Sequence, residues 1–573
     1  MNVVARGLLA VTLLAATAAL ADAVAVPGSE YGVGASAVPE SRAGACCCAG
    51  EQTAAEVPPP ETLDATSARV RSIDIEVDNV FDTSIPEESA WLYRSGNQLH
   101  LLTQEDTIRS QLLFREQEPF SLQKVQETER LLRGQQYLYD AWVVPTCYHA
   151  EDDSVDLKVR VRDVWSLNPG FAFGRKGGAN HGGLSIEDEN FLGRGETLGL
   201  SYGKDVDRAS LSLAYRDPQL FGSWWRGNFE LADNSDGGLA SLQLTRPFYS
   251  LDTRWSAGIS ALTGERVDTR YSLGEELDSY TVNEDRFELQ GGVSEGLRHG
   301  WARRWLAGIR YEDSQFGPDP ETPLAAPLPQ DRKLLTPWLG ISFIQDGYDT
   351  VRNLDQIART EDVQFGRELR AELGIASAQV GSDRDAAVFA LSGGTGERLA
   401  EGRSLFLGGS FSGRWESAGL RDGLATAEAR YYQRQRENAV FFATTRGAAA
   451  FSPDLDHLIE LGGDNGLRGY PLRYQVGTSS VLLSAEQRLY TDWYPFRLFR
   501  VGAAAFVDAG RTWGEDAAGS APLGWLADAG FGLRLGNERS GLGNVIHIDL
   551  AFPLVRSGGV DSVQLLVETR QRF

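Results

Sequence analysis

Asn544-Val545-Ile546-His547-Ile548-Asp549-Leu550-Ala551-Phe552, close to the C-terminus, carries two faces in nine residues. Ile546, Ile548, Leu550 and Phe552 share one face, and Val545, His547, Asp549 and Ala551 the other, which is the period of a strand with an oily and a polar side. The same texture runs back to Trp165. Leu198, Leu200 and Tyr202 alternate with Gly199, Ser201 and Gly203, and Leu211, Leu213 and Tyr215 with Ser210, Ser212 and Ala214. Segments of roughly ten residues separated by polar turns are how the strands of a transmembrane barrel read. A soluble sandwich also alternates, but it hides its oily face under a second sheet and seldom runs so long. About fifteen candidate strands precede Gly462 and about five follow it, near Val476 to Tyr490, Leu498 to Asp508, Trp525 to Gly536, Asn544 to Phe552 and Val563 to Phe573. The sequence therefore predicts an all-β transmembrane barrel of up to about twenty strands over residues 166–573.

The first residues fit this reading. Arg6 precedes an apolar run from Gly7 to Leu20, followed by Ala21-Asp22-Ala23, so 1–23 reads as a signal peptide and the chain as exported. The run is shorter than the roughly 18 to 20 residues a membrane-crossing helix needs, and no later segment is longer, so residence in a membrane requires a barrel. Residues 24–67, rich in Ala, Gly, Pro, Glu and Ser, read as a disordered linker. Cys46, Cys47 and Cys48 are adjacent and Cys147 stands alone; neither is a zinc spacing or a catalytic pattern. The excess of 79 Asp plus Glu over 55 Lys plus Arg argues against nucleic acid as a partner.

Residues 68–165 have a different pattern. From Val70, Ile73, Ile75 and Val77 alternate with polar residues as a half-buried strand. Thr103-Gln104-Glu105-Asp106 reads as a capping box before Ile108, Leu112 and Leu113 at helical spacing. Ser121 caps a second helix carrying Leu122, Val125 and Leu132, and Gly134 ends it. Strands near Tyr137 to Val144 and Val155 to Arg162 complete a small α+β unit.

Gly462-Gly463-Asp464-Asn465-Gly466-Leu467-Arg468-Gly469-Tyr470-Pro471 interrupts the strands. Four glycines and an Asp-Asn pair allow a tight, re-entrant shape around one cation, Arg468. Alone, this stretch reads as a surface turn with a solvated arginine.

Together with Gly183 to Gly195, Tyr215-Arg216-Asp217-Pro218, Phe506-Val507-Asp508-Ala509-Gly510 and a terminal Phe573, the Leu467-Arg468-Gly469-Tyr470 stretch resembles the bacterial surface antigen superfamily of outer-membrane assembly and translocation proteins. Its members include the BAM and TAM barrels and two-partner secretion transporters. The unit at 68–165 resembles a POTRA domain. The resemblance implies a sixteen-strand plan, an outer-membrane barrel with a periplasmic N-terminal domain, and unfolded or exported outer-membrane client polypeptides as partners, held by an exposed POTRA-like edge strand and a barrel seam. Outer-membrane lipids are the other partner. It implies that the first and last strands, about Asn168 to Arg175 and Val563 to Phe573, meet in a weak seam, and that Phe573 is an assembly signal, although Gln571 stands where an apolar residue is usual. It further implies that the loop between the eleventh and twelfth strands folds into the lumen, where its arginine meets an acidic wall residue. Strand alternation puts Phe499, Val501, Ala503, Ala505 and Val507 toward lipid and Asp508 inward, so Arg468, Gly469, Tyr470 and Asp508 form the expected internal latch. On a two-residue latch, exchanging Arg468 and Asp508 should restore part of the function lost in either single variant.

No enzyme is expected. The six histidines form no His-Glu-x-x-His, and Gly408 to Gly413 lacks the spacing of a nucleophile elbow. No cofactor, metal or catalytic residue is assigned, and Trp224, Trp225, Trp493 and Trp513 read as membrane-interface anchors. The function expected is insertion or translocation of other polypeptides; a two-partner secretion transporter and a passive porin are the alternatives.

Overall fold

The computed structural model describes residues 57–520, 523–540, 545–556 and 560–570, without the side chains of 169–173 and 570. The signal peptide, Cys46 to Cys48, Gln571 and Phe573 lie outside the described residues.

The described part of the linker contains a helix. Pro60–Thr66 starts on a proline, which fixes the first helical φ, and buries Leu63 in the core of the domain that follows. Asp64 Oδ1 accepts the Leu122 backbone N–H at 2.9 Å. One apolar residue in a polar stretch gives too little periodicity to reveal such a helix, so the expectation of a structureless segment to residue 67 is corrected here. In the domain, β1 (Arg69–Asp78), β2 (Leu138–His149) and β3 (Ser154–Asp163) form a sheet in the order β1-β3-β2, with β1 parallel and β2 antiparallel to β3. Ile73 and Ile75 of β1 and Val155, Leu157, Val159 and Val161 of β3 pack against Ile108, Val125 and Leu132. Ser121 caps the helix Leu122–Arg133 by accepting the Lys124 N–H. Thr103 does not cap its helix: the side chain and N–H both donate to Asp163, at 2.8 Å each, and Gln104 is the residue before Glu105–Arg109. A further helix, Trp91–Leu99, buries none of its residues and was not expected from the sequence.

Twenty antiparallel strands then close into a barrel in chain order, from Leu167–Lys176 to Gln564–Arg570. Side chains such as Leu184, Ile186, Leu200, Leu289, Ile309, Leu373 and Phe531 remain exposed on the outside, the apolar exterior of a membrane-spanning barrel. The sixteen-strand plan implied by the resemblance does not hold. Fifteen strands precede the loop of Gly462 and five follow it, so that loop joins the fifteenth and sixteenth strands. The strands Trp255–Ser272, Glu275–Arg298 and Trp301–Pro318 have 18, 24 and 18 residues, well beyond the roughly 9 to 11 that cross a bilayer. The N-terminal domain sits at the end where the chain enters and leaves the barrel, termed the near end below. Arg539 there donates to Glu88 and to the Val80 carbonyl.

Candidate functional site

Two segments enter the barrel, one from each end. From the far end, Ile459–Leu461 pairs with Gln475–Gly477, making the neck of a hairpin whose tip is 462–474. The tip is tied by its own polar groups. Asn465 Oδ1 accepts the Gly462 N–H at 2.6 Å, its amide donates to the Glu460 carbonyl at 2.8 Å, and Gly463 N–H reaches the Pro471 carbonyl at 2.8 Å. Leu467, Tyr470 and Tyr474 are buried against Leu461, Leu482 and Leu526. The Tyr470 hydroxyl lies 2.8 Å from the Ala527 carbonyl and 2.9 Å from that of Val555. Glycine is required at 469: a Cβ there would stand 2.7 Å from the Cβ of Asp528, so no other residue lets the tip lie this close to the wall.

Arg468 is 3% exposed and reaches three carboxylates. Nε and Nη2 donate to Asp508 at 2.7 and 3.0 Å in a two-pronged bond, and Nη1 donates to Glu486 at 3.1 Å and to Asp549 at 3.2 Å. The guanidinium also lies 3.3 Å from the centre of the Phe506 ring. Asp508 is 0% exposed while its neighbour Val507 is half exposed to the outside. Ser484 Oγ donates to Asp508 at 2.6 Å. Arg534 bonds Asp549 at 2.5 Å and Glu486 at 3.2 Å, and Arg488 bonds Glu486 at 3.1 Å.

Reasoning from the sequence placed Arg468 with Asp508 alone; Glu486, Asp549, Arg488 and Arg534 were missed. Each has a signal in strand alternation. Asp549 is on the polar face of the strand quoted first, and Glu486 and Arg488 are two residues apart on Ser479–Tyr490, so both face the lumen.

The second segment had no forerunner in the sequence reading. Between the tenth strand, Arg332–Gln345, and the eleventh, Arg367–Ala376, residues 346–366 turn back as a small hairpin of Tyr348–Arg352 and Thr360–Gln364. Its tip enters the barrel from the near end. Ile357 packs with Tyr432, Val440, Phe442, Tyr490 and Val545, Tyr432 donates to Asp355 at 2.7 Å, and Arg488 donates to the Leu354 carbonyl at 3.0 Å. The Glu361 carboxylate accepts the N–H groups of Leu354 and Asp355 at 2.8 Å each; burial and the neighbouring Asp355 push its pKa up to about 7.

The arms of this hairpin meet the N-terminal domain. Arg133 forms a two-pronged bond with Asp362, at 2.8 and 2.7 Å, Thr360 donates to Asp140 at 2.8 Å, and Arg130 lies 3.7 Å over the Tyr348 ring. A chamber of about 1070 Å³ remains between the domain, the hairpin and the wall, with Arg133, Glu189, Arg216, Arg359, Asp362 and Glu428 among its lining. Its mixed charges and open shape suit a hydrated passage more than a fitted small-molecule pocket.

Among the described residues, the register of the last strand on the first consists of Val567 opposite Arg175, against seven pairs between the nineteenth and twentieth strands and ten between the first and second. Lys176 and Glu568 form an ion pair of 2.7 Å across this edge.

No family model matches the chain, and no curated protein matches it. Solved structures similar to it include BamA from Haemophilus ducreyi lacking POTRA domains 1-3, which is 13% identical, covers 88% of this chain and 85% of that one, and has a TM-score of 0.36. CdiB from Acinetobacter baumannii is 12% identical, with 88% and 73% covered and a TM-score of 0.43. CdiB from Escherichia coli is 12% identical, with 88% and 76% covered and a TM-score of 0.46. At these values the likeness carries no argument about activity.

Proposed function

We propose that this chain is an outer-membrane POTRA-barrel protein of the bacterial surface antigen superfamily, which assists insertion or translocation of other polypeptides with its N-terminal domain in the periplasm and without enzymatic chemistry or a cofactor. The observation that carries this reading is the closing edge. Unpaired strand groups are costly in lipid, so an incoming strand gains most where the barrel's own ladder is thinnest. A client that adds its edge beside Val567 or Arg175 completes bonds that the described residues of these two strands do not make with each other, and needs no other energy source. The internal loop acts as a latch: Arg468 holds the tip against the sixteenth, seventeenth and nineteenth strands, which lead up to this edge, and Gly469 and Tyr470 shape the contact. Phe573, in the same reading, marks the chain for its own assembly. Both lumen segments count against the passive porin, which needs an open bore.

The test is a reversible lock. Val567→Cys combined with Arg175→Cys places two cysteines at directly opposed positions, a separation a disulfide can bridge. In the oxidised protein, reconstituted in vesicles, insertion of an outer-membrane client should fall to the level of empty vesicles, and reduction should restore it. Equal insertion by the oxidised and reduced forms would overturn the proposal.

A further inference from the structure

The helix Trp91–Leu99 leaves its apolar side chains outside the core of the N-terminal domain. Its inner face is well made. Tyr93 packs on Phe81 with ring centres 5.0 Å apart, Asn97 exchanges hydrogen bonds with the Phe81 backbone at 3.1 and 2.8 Å, and Gly96 lies so near Phe81 that a Cβ would come within 3.2 Å of the ring. At 100° per residue, these three positions define one side, Leu92 and Leu99 fall together on a flank, and Trp91 lies on the outer face between that flank and Arg94. Trp91 is 71%, Leu92 53% and Leu99 77% exposed, and Leu101 and Leu102 extend the strip, both exposed. Arg94 is on the opposite flank.

The position of the strip identifies what covers it. The Tyr93 hydroxyl donates to the Phe496 carbonyl at 3.3 Å, in the turn joining the sixteenth and seventeenth barrel strands. At the other end, Gln104 N–H donates to the Gly193 carbonyl at 2.8 Å, in the turn joining the second and third. The segment thus spans the near rim of the barrel from one side of its closing edge to the other. Both turns carry exposed apolar residues, Trp493 and Phe496 in the first and Leu192 in the second. Above them lies the lipid-facing exterior, with Leu198 and Leu200 on one side and Phe531 and Leu533 on the other. The strip continues a surface that already faces lipid.

We infer that Trp91–Leu99 and the following leucines form a lipid-docking strip that lies in the membrane interface beneath the closing edge of the barrel. A helix with leucines on one flank, a cation on the other and a tryptophan between them on the outer face is suited to lie in the headgroup region, where Arg94 extends toward the headgroups. It would fix the height of the N-terminal domain against the bilayer at the place where the ladder is thinnest. This inference does not depend on what the barrel handles.

The experiment uses the full chain with Cys46, Cys47, Cys48 and Cys147 replaced by serine, in vesicles of phosphatidylethanolamine and phosphatidylglycerol. Single cysteines from Leu92→Cys, Leu99→Cys and Arg94→Cys are labelled with the environment-sensitive fluorophore NBD. Lipids carrying a spin label near the headgroup should quench the label at 92 and at 99 at least twofold more than the label at 94, and aqueous iodide should rank them in reverse. Leu99, the more exposed position, decides the matter if Leu92→Cys does not assemble. Equal iodide quenching at all three positions would overturn the inference by leaving the strip in water. Shielding of 92 and 99 from both quenchers would overturn it as well, because protein would then cover the face.

Discussion

Replacing Arg468 by alanine removes the residue of the inserted loop that bonds Asp508, Glu486 and Asp549 together. In the intact protein three guanidiniums, of Arg468, Arg488 and Arg534, stand among these three carboxylates, and all six side chains are nearly sealed from water. Without Arg468, Asp508 loses both prongs of its bond to a cation and keeps the Ser484 hydroxyl. Breaking a buried pair by removing one partner costs about 3 to 5 kcal/mol, because a charge is left buried without compensation. The strand ladder is not touched, so the loss falls on the docking of the loop and not on the barrel. At about 1.4 kcal/mol per decade, even the lower figure shifts the docked-to-released ratio roughly a hundredfold. Proteinase K added from the far side of oriented vesicles should therefore cut within 452–478 far faster in Arg468→Ala than in the parent, while the unboiled protein keeps the gel mobility of a folded barrel. Arg468→Lys should fall between the two, since an ammonium keeps the charge but loses the two-pronged bond and the stacking on Phe506. Unchanged cleavage in Arg468→Ala would refute the reasoning. The geometry also reverses one expectation from the sequence: exchanging Arg468 and Asp508 should not rescue, because an aspartate at 468 would face Glu486 and Asp549.

Three further outcomes are expected. Arg133→Ala, which removes the two-pronged bond to Asp362, should weaken docking of the hairpin on the N-terminal domain by about 1.5 to 3 kcal/mol, read as faster amide exchange in 346–366; unchanged exchange would count against that contact. Glu361 holds its proton more tightly in the docked hairpin than an ordinary carboxylate of 4.5, so its contribution to docking is full below that value and is lost as the pH rises through about 7. After correction for intrinsic rates, amides of 353–358 should exchange more slowly at pH 5 than at pH 8, and Glu361→Gln should flatten the difference; a difference of the same size in the variant would assign it to another group. Deletion of Phe573 should lower the amount of protein in the outer membrane, measured in fractionated cells, and an unchanged amount would remove the assembly-signal reading.

The barrel was legible because its physics repeats. Every strand must show one oily and one polar face, so even a stretch as short as Val545 to Phe552 declares its role, and summing such stretches led to about twenty, the number the structure has. The family plan of sixteen was the less reliable guide, since plan and pattern agreed only on the five strands after Gly462. Arg468 and Asp508 could be paired on paper because alternation fixes which way Asp508 points. What could not be read was how many carboxylates one arginine would serve. Glu486 and Asp549 lie on different strands, and their convergence depends on strand order and stagger around the barrel, which a linear pattern does not encode. The hairpin at 346–366 was missed for a related reason. Its short strands pair with each other inside the near end, so they carry neither a lipid face nor the length of a wall strand. Leu63 and the helix Trp91–Leu99 escaped because neither contributes a row of buried residues.

The two inserted segments are joined by side chains. Arg468 bonds Glu486, Glu486 bonds Arg488, and Arg488 donates to the Leu354 carbonyl at the tip of the near-end hairpin. The arm of that hairpin carries Asp362, which Arg133 of the N-terminal domain holds. A continuous set of polar contacts thus runs through the lumen from the far-end loop to the domain at the near end. Each end of this set rests on an inserted segment, and both segments use the same wall strand, Ser479–Tyr490. A client that displaced the hairpin would take the Leu354 carbonyl from Arg488, and the charge balance around Glu486 would change within one side chain of the latch. On the proposed function, a client engaged at the near end and the loop inserted from the far end would in this way answer to each other without a moving wall.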